Sequence, residues 1–248
     1  MPYRTDIAYV YDGSFDGLLC CVFESYYKRE LPFAIFDYNA EQESLFARRE
    51  ILTNPENAKR VENSIIEKIS RDALELVRMC YLSNTSEREL AILNFLRMGY
   101  KIGGGVVDML AHDTVRPITK AARNVGGEAH LFKGFLRFSD FGGTLAAVFE
   151  PKNFILPLIA PHFCDRLANE DFLIYDKNHN YVFIQQKGKK QLLPLEHFEL
   201  PEACETEKAY RQLWKQFYNT IAIEGRINPK LQQGMMPKRY RTHMTEFL

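Results

Sequence analysis

The sequence predicts an α+β protein, a helical lobe packed against antiparallel hairpins, with a C-terminal helix and a basic tail. Three observations carry that expectation. Apolar residues recur at helical spacing through most of the first half, short β-rich runs around turn residues replace them from about residue 126, and helical periodicity returns once near the end. The length of 248 residues suits a single α+β domain with two sub-lobes, 1–125 mainly helical and 126–248 built from hairpins plus the terminal helix. A chain of this size removes roughly 70–75% of its unfolded surface from water, so a core is available without disulfides.

Ile7 to Tyr11 is a short β-rich run. Asp12-Gly13-Ser14 then reads as a turn in which Ser14 caps a helix over 15–28, with Leu18, Leu19, Val22, Phe23 and Tyr26 on one face. Phe33–Phe36 and Leu45–Leu52 read as two further strands. Asn54-Pro55 opens a helical stretch in the favoured order of cap then proline, with Val61, Ile65, Ile69, Leu76 and Val77 as its apolar face. Ser86-Glu87-Arg88-Glu89 has the spacing of a capping box before a helix at 87–101, and Gly103-Gly104-Gly105 ends that helix. From Val106 to Val125 the pattern is helical again, in two pieces because Asp113 can cap and Pro117 tolerates only a first turn.

Phe132, Phe135, Phe138 and Val148 fall in two β-rich runs around Ser139-Asp140-Phe141-Gly142-Gly143, which predicts a hairpin. A second hairpin joins Phe172–Tyr175 to Tyr181–Gln185 through Asn178-His179-Asn180. Between them, Phe154–Leu167 is apolar enough for a buried helix, broken or shortened by Pro157 and Pro161. The last convincing helix covers Glu205 to Ala222, with Leu213, Trp214, Phe217 and Ile221 on a stripe expected to face the core; a loop at Asn228-Pro229 and a basic tail follow.

Charge and cysteine usage narrow the function classes. Thirty-two Lys and Arg against thirty-two Asp and Glu make the chain neutral, which excludes a globally basic coat but not a local basic face. From Tyr210 onward seven cations face two acids, and from Arg116 to Phe138 five face one, with aromatic residues interleaved as on a surface that grips phosphates and stacks on bases. Five cysteines without a C-x-x-C pair read as reduced thiols in a cytoplasmic protein, and nothing in the sequence suggests a signal peptide, a membrane anchor, a metal site or a cofactor.

No catalytic motif is recognisable. The triple glycine lacks the G-x-G-x-x-G and G-x-x-x-x-G-K-[ST] contexts, Asp140-Phe141-Gly142 stands without the other kinase motifs, and His162 with Cys164 recruits no second ligand cluster. Asp12, Asp16 and Glu24 are the densest early carboxylates, and the simplest role for them is helix capping or solvation.

Three sets of residues carry a family resemblance: Tyr11-Asp12-Gly13-Ser14-Phe15-Asp16-Gly17-Leu18-Leu19; Phe149-Glu150-Pro151 with Ile155-Leu156-Pro157 and Ala160-Pro161-His162-Phe163; and Leu213-Trp214, Arg226-Ile227-Asn228 and Met236-Pro237-Lys238-Arg239-Tyr240. Together the chain resembles a bacterial family described as DNA repair or DNA metabolism proteins. Members of that family stand alone, encoded beside a radical-SAM DNA repair protein, or are fused ahead of a uracil-DNA glycosylase domain of the UdgX kind. The chain has neither the cysteine triplet of a radical-SAM cluster nor the glycosylase loop, since Gly127-Glu128-Ala129-His130 departs from it. The resemblance therefore implies the companion domain.

The leading expectation is a nucleic-acid-binding accessory module acting with a radical-SAM or glycosylase-type partner. Its candidate contacts are Arg116, Lys120, Arg123, Lys133, Arg137, Arg226, Asn228, Lys238, Arg239 and Arg241, with Tyr240 available to stack. One alternative is an enzyme acting on damaged nucleotides, built around Asp12, Asp16 and Pro161-His162-Phe163. Another is a protein adaptor that does not touch DNA.

Overall fold

The computed structural model describes residues 3–38, 47–196, 198, 200, 202–221 and 228–247. The fold is α+β, and the chain divides into two compact units, Met1–Gly126 and Gly127–Leu248.

The first unit is built on β1 (Ile7–Tyr11), which lies between β2 (Ala34–Asp37) and β3 (Ala47–Glu50) and is parallel to both. Four of its five residues are buried, as expected of a central parallel strand covered on both faces. The turn into α1 (Phe15–Tyr27) forms as its residues dictate. Ser14 is extended and its Oγ accepts from the Gly17 N–H at 2.9 Å, while Asp12 accepts from the Ser14 N–H, the Ser14 hydroxyl and the Thr53 hydroxyl.

Asn54 caps α2 (Pro55–Lys68) by accepting from the Glu56 and Asn57 N–H groups. The stretch predicted to continue through Val77 is two helices, because Ser70 accepts from the Ala73 N–H and starts α3 (Arg71–Tyr81). The capping box at Ser86 does not form. Glu87 is left-handed at φ 59°, and Glu89 instead pairs with Arg88 and accepts from the Tyr11 hydroxyl, so α4 (Arg88–Ile102) begins without a side-chain cap. Gly103, at φ 83°, ends α4 and leads into a short 3-10 turn at Gly104–Asp108.

Helix α5 (Val115–Phe135) carries the chain into the second unit. It corrects the expectation that Phe132 and Phe135 lie in a strand: Val125, Ala129, Phe132 and Leu136 recur at helical spacing and are buried, so burial of one stripe outweighs the β preference of the aromatic residues. The first hairpin survives in shorter form, with β4 (Ser139–Asp140) paired to β5 (Thr144–Phe149) across positive-φ Gly142 and Gly143.

The second hairpin, β6 (Asp171–Asp176) and β7 (Tyr181–Gln186), turns through Asn180 at φ 57°. The sheet is mixed rather than wholly antiparallel. Strands β5 and β6 are parallel, and the crossover between them contains α6 (Leu156–Arg166), which is continuous despite Pro161.

Two elements were not anticipated. A Lys187-Gly188 turn adds β8 (Lys189–Pro194), an exposed edge strand whose Lys189 and Lys190 suit an unpaired margin. The expected loop after residue 228 is α8 (Pro229–Met235), capped by Asn228, and it follows α7 (Glu205–Ile221). No helix among the described residues is long and apolar enough to cross a membrane.

Candidate nucleic-acid interface

An open cleft of about 570 Å³ lies in the second unit, bounded by the end of α5, the chain leading to β4, α6, α7 and Thr245. Among the described residues, Lys133, Arg137, Arg166 and Arg211 line it with Glu207 as the single carboxylate, and Phe138, Phe163, Tyr210 and Trp214 supply aromatic surface. Helix α7 is positioned by Glu207, a buried carboxylate that accepts from the Asp140 N–H at 3.1 Å and from Arg211 Nε at 2.8 Å. Arg211 in turn donates to the Ser139 hydroxyl. One helix thereby places an arginine and two aromatic rings along the same wall.

The cations are not equivalent. Arg137 donates to both oxygens of Glu246 and to the Gly134 carbonyl, so its charge is largely compensated. Burial pushes the Glu246 carboxyl upward, but hydrogen bonds from Arg137 and Trp214 outweigh it and hold the group below its ordinary range. Glu207 behaves in the same way through Arg211. Among the described residues, no carboxylate pairs with Lys133 or with the exposed Arg166. These two are the charges the cleft can offer to an anion.

The stripe on α7 is the main correction to the expected packing. Leu213, Phe217 and Ile221 are more than half exposed and Trp214 is 40% exposed, so the stripe faces outward rather than into a core. Trp214 stacks on Phe217 at 5.6 Å and donates its Nε1–H to Glu246. Trp214→Ala is accordingly expected to cost about 1–2 kcal/mol, the worth of a charge-assisted hydrogen bond plus partial burial, rather than the ~3–5 kcal/mol of a buried aromatic. Urea denaturation distinguishes the two magnitudes.

The remaining predicted contacts fall into separate surroundings. Arg116, Lys120 and Arg123 lie in the first unit; all three are exposed, and Arg116 is 3.5 Å from Asp113. Asn228 is occupied as the α8 cap, Lys238 is exposed, and Arg226 lies outside the described residues. Arg239 pairs with buried Glu128 at 3.0 Å and lies over the Tyr240 ring. Tyr240 is 5% exposed, its ring packed on Phe132 and Phe135, and so is not available to stack on a base. Arg241 donates to the Met236 carbonyl and covers Phe247.

The residues considered for an alternative active site are distributed over both units. Asp12 and Asp16 belong to the first unit and His162 to the second. The Asp12 carboxylate is raised by burial but lowered further by its bonds to Ser14 and Thr53, which stitch the turn.

Sequence reasoning missed Arg166, Tyr210 and the exposure of Trp214. Tyr210-Arg211 followed by Trp214 on one helix was the available signal for an aromatic and cationic wall.

No curated protein and no solved structure matches the chain. A family model described as a domain of unknown function, DUF4130, matches residues 86–246, a span that includes every residue lining the cleft. By that match over more than half its length, the chain belongs to the DUF4130 family.

Proposed function

We propose that this protein is a nucleic-acid-binding accessory module of bacterial DNA repair or metabolism, acting with a radical-SAM or glycosylase-type partner. The observation that supports binding is the cleft itself, in which Lys133 and Arg166, with no carboxylate partner among the described residues, stand beside the exposed rings of Tyr210 and Trp214. Cations that follow a backbone together with rings that accept any base are the elements of single-strand recognition without sequence preference. The partner and the repair setting rest on the motif resemblance.

The test is a titration of a labelled single-stranded oligonucleotide across a range of salt concentrations. Lys133→Glu with Arg166→Glu is expected to weaken binding roughly tenfold or more and to flatten the salt slope by about 1.4, two phosphates at ~0.7 each. Unchanged affinity and slope would exclude the cleft as the binding surface.

A second reading, a protein adaptor, is supported by the exposed Leu213, Phe217 and Ile221 on α7 and Leu231 and Met235 on α8. Such apolar area serves a protein partner better than a phosphate backbone.

A further inference from the structure

We infer that the first unit carries a second groove for single-stranded nucleic acid, formed by α1, α2 and α4. It extends the nucleic-acid reading of the cleft to a separate surface.

The groove holds about 630 Å³. On α1, Phe23, Tyr26 and Tyr27 follow at i, i+3 and i+4, so their rings emerge together beside the buried Leu18, Leu19 and Val22. On α2, Arg60 and Lys68 stand two turns apart on the same side, with Ser64 between them. Tyr100 of α4 completes the wall, its hydroxyl 2.6 Å from that of Ser64 and its ring edge-on to Tyr26. Phe23 and Tyr27 are stacked with their planes 15° apart, and Tyr27 is 71% exposed. Lys28 Nζ lies 5.4 Å from the Tyr27 ring centroid, so the stack is flanked by cations and a base reaches Tyr27 by displacing an exposed lysine side chain.

Charge selects the occupant. Among the described residues, Arg60 and Lys68 line the groove and no carboxylate does, while Arg60 also lies over the Phe23 ring at 5.7 Å. An apolar peptide would leave both cations unused. A nucleotide strand uses the groove as built: a base stacks on Tyr27 in place of Lys28, and its phosphates meet Arg60, Lys68 and the displaced Lys28. An acidic peptide satisfies the charges but not the exposed stack.

The test uses the full chain and a fluorescent twelve-residue oligodeoxythymidylate. Tyr27→Ala, Tyr27→Phe and the pair Arg60→Glu with Lys68→Glu are made at exposed positions, both alone and in the Lys133→Glu with Arg166→Glu background. Circular dichroism checks that each is folded. Tyr27→Ala is expected to weaken binding roughly tenfold, as loss of one stacked base does. Tyr27→Phe should bind within about twofold of wild type because the π face is kept. With bromouracil in the oligonucleotide, photocrosslinks should map to α1.

If the groove variants bind as wild type and no crosslink falls on α1, the inference is wrong. In that case a loss caused by the cleft reversals alone leaves the cleft reading standing, and no binding by any form removes both. Conversely, weakening by the groove variants in the cleft-reversed background supports the groove independently. A glutamate-rich peptide that binds at Tyr27 and is not displaced by the oligonucleotide would assign the groove to a protein partner and overturn the proposal.

Discussion

Glu128→Ala is expected to destabilise the second unit by about 3–5 kcal/mol, chiefly the cost of depriving several buried donors of their acceptor at roughly 1–3 kcal/mol each, since its partner Arg239 is 43% exposed. The carboxylate side chain is 2% exposed. It accepts from the Lys152 N–H at 3.1 Å, the Asn153 N–H at 2.9 Å, the Asn153 side-chain amide at 2.6 Å and Arg239 at 3.0 Å. One side chain on α5 therefore ties down the segment after β5 and the C-terminal tail. Alanine would take away the acceptor shared by the Lys152 and Asn153 N–H groups and the Asn153 side-chain amide, and the counter-charge of Arg239. Glu128→Gln keeps the shape and one acceptor oxygen, so an intermediate loss is expected. Urea denaturation of both variants reads the difference; a loss below about 1 kcal/mol for alanine would mean that these bonds do not hold the segment.

Local signals were legible in the sequence, and the partner of each surface was not. Ser14, Asn54 and Gly103 act within a few residues of themselves, which is why the Asp12-Gly13-Ser14 turn, the start of α2 and the end of α4 follow from residue type. Glu89 has the spacing of a capping residue, but a hydroxyl from Tyr11, 78 residues away, competes for it. The α7 stripe shows the same limit at the level of packing. Periodicity reveals that Leu213, Trp214, Phe217 and Ile221 share a face, while only the tertiary structure reveals that this face is uncovered.

The candidate site suffered most from counting charges along the chain. The tail looked basic, yet Arg239 is neutralised by Glu128, 111 residues earlier, and Arg137 by Glu246, 109 residues later. Arg166 entered the cleft from a segment with no cluster of cations to announce it. Strand β8 was hidden for a related reason: Lys189 to Pro194 is exposed along its whole length, so it lacks the alternation that marks a half-buried strand.

Gly17→Ala is expected to cost about 2–3 kcal/mol at neutral pH, the upper part of the range for overpacking a tight site. A Cβ at position 17 would stand 2.8 Å from the Thr53 hydroxyl and 2.9 Å from Cδ2 of Tyr11, and closer still to Oδ1 of Asp12. Tyr11 is fully buried with its hydroxyl bonded to Glu89, so its ring has no room to retreat. The carboxylate must move instead, giving up its bonds to Ser14 and Thr53. Those bonds hold the folded-state pKa of Asp12 below its ordinary value despite the opposing effect of burial. Their contribution is therefore present above the unfolded pKa and is lost as pH falls through the folded one. Gly17→Ala removes that contribution at neutral pH, whereas acid removes it from the wild type as well. The stability gap between them should be widest near neutrality and should narrow as Asp12 protonates, which paired urea titrations at neutral and acidic pH measure. A gap of constant size would show that the alanine disturbs only apolar packing; no gap at all would show that Gly17 is not required by the close approach of Asp12 and Tyr11. Either result would reopen a role for Asp12 beyond stitching the turn.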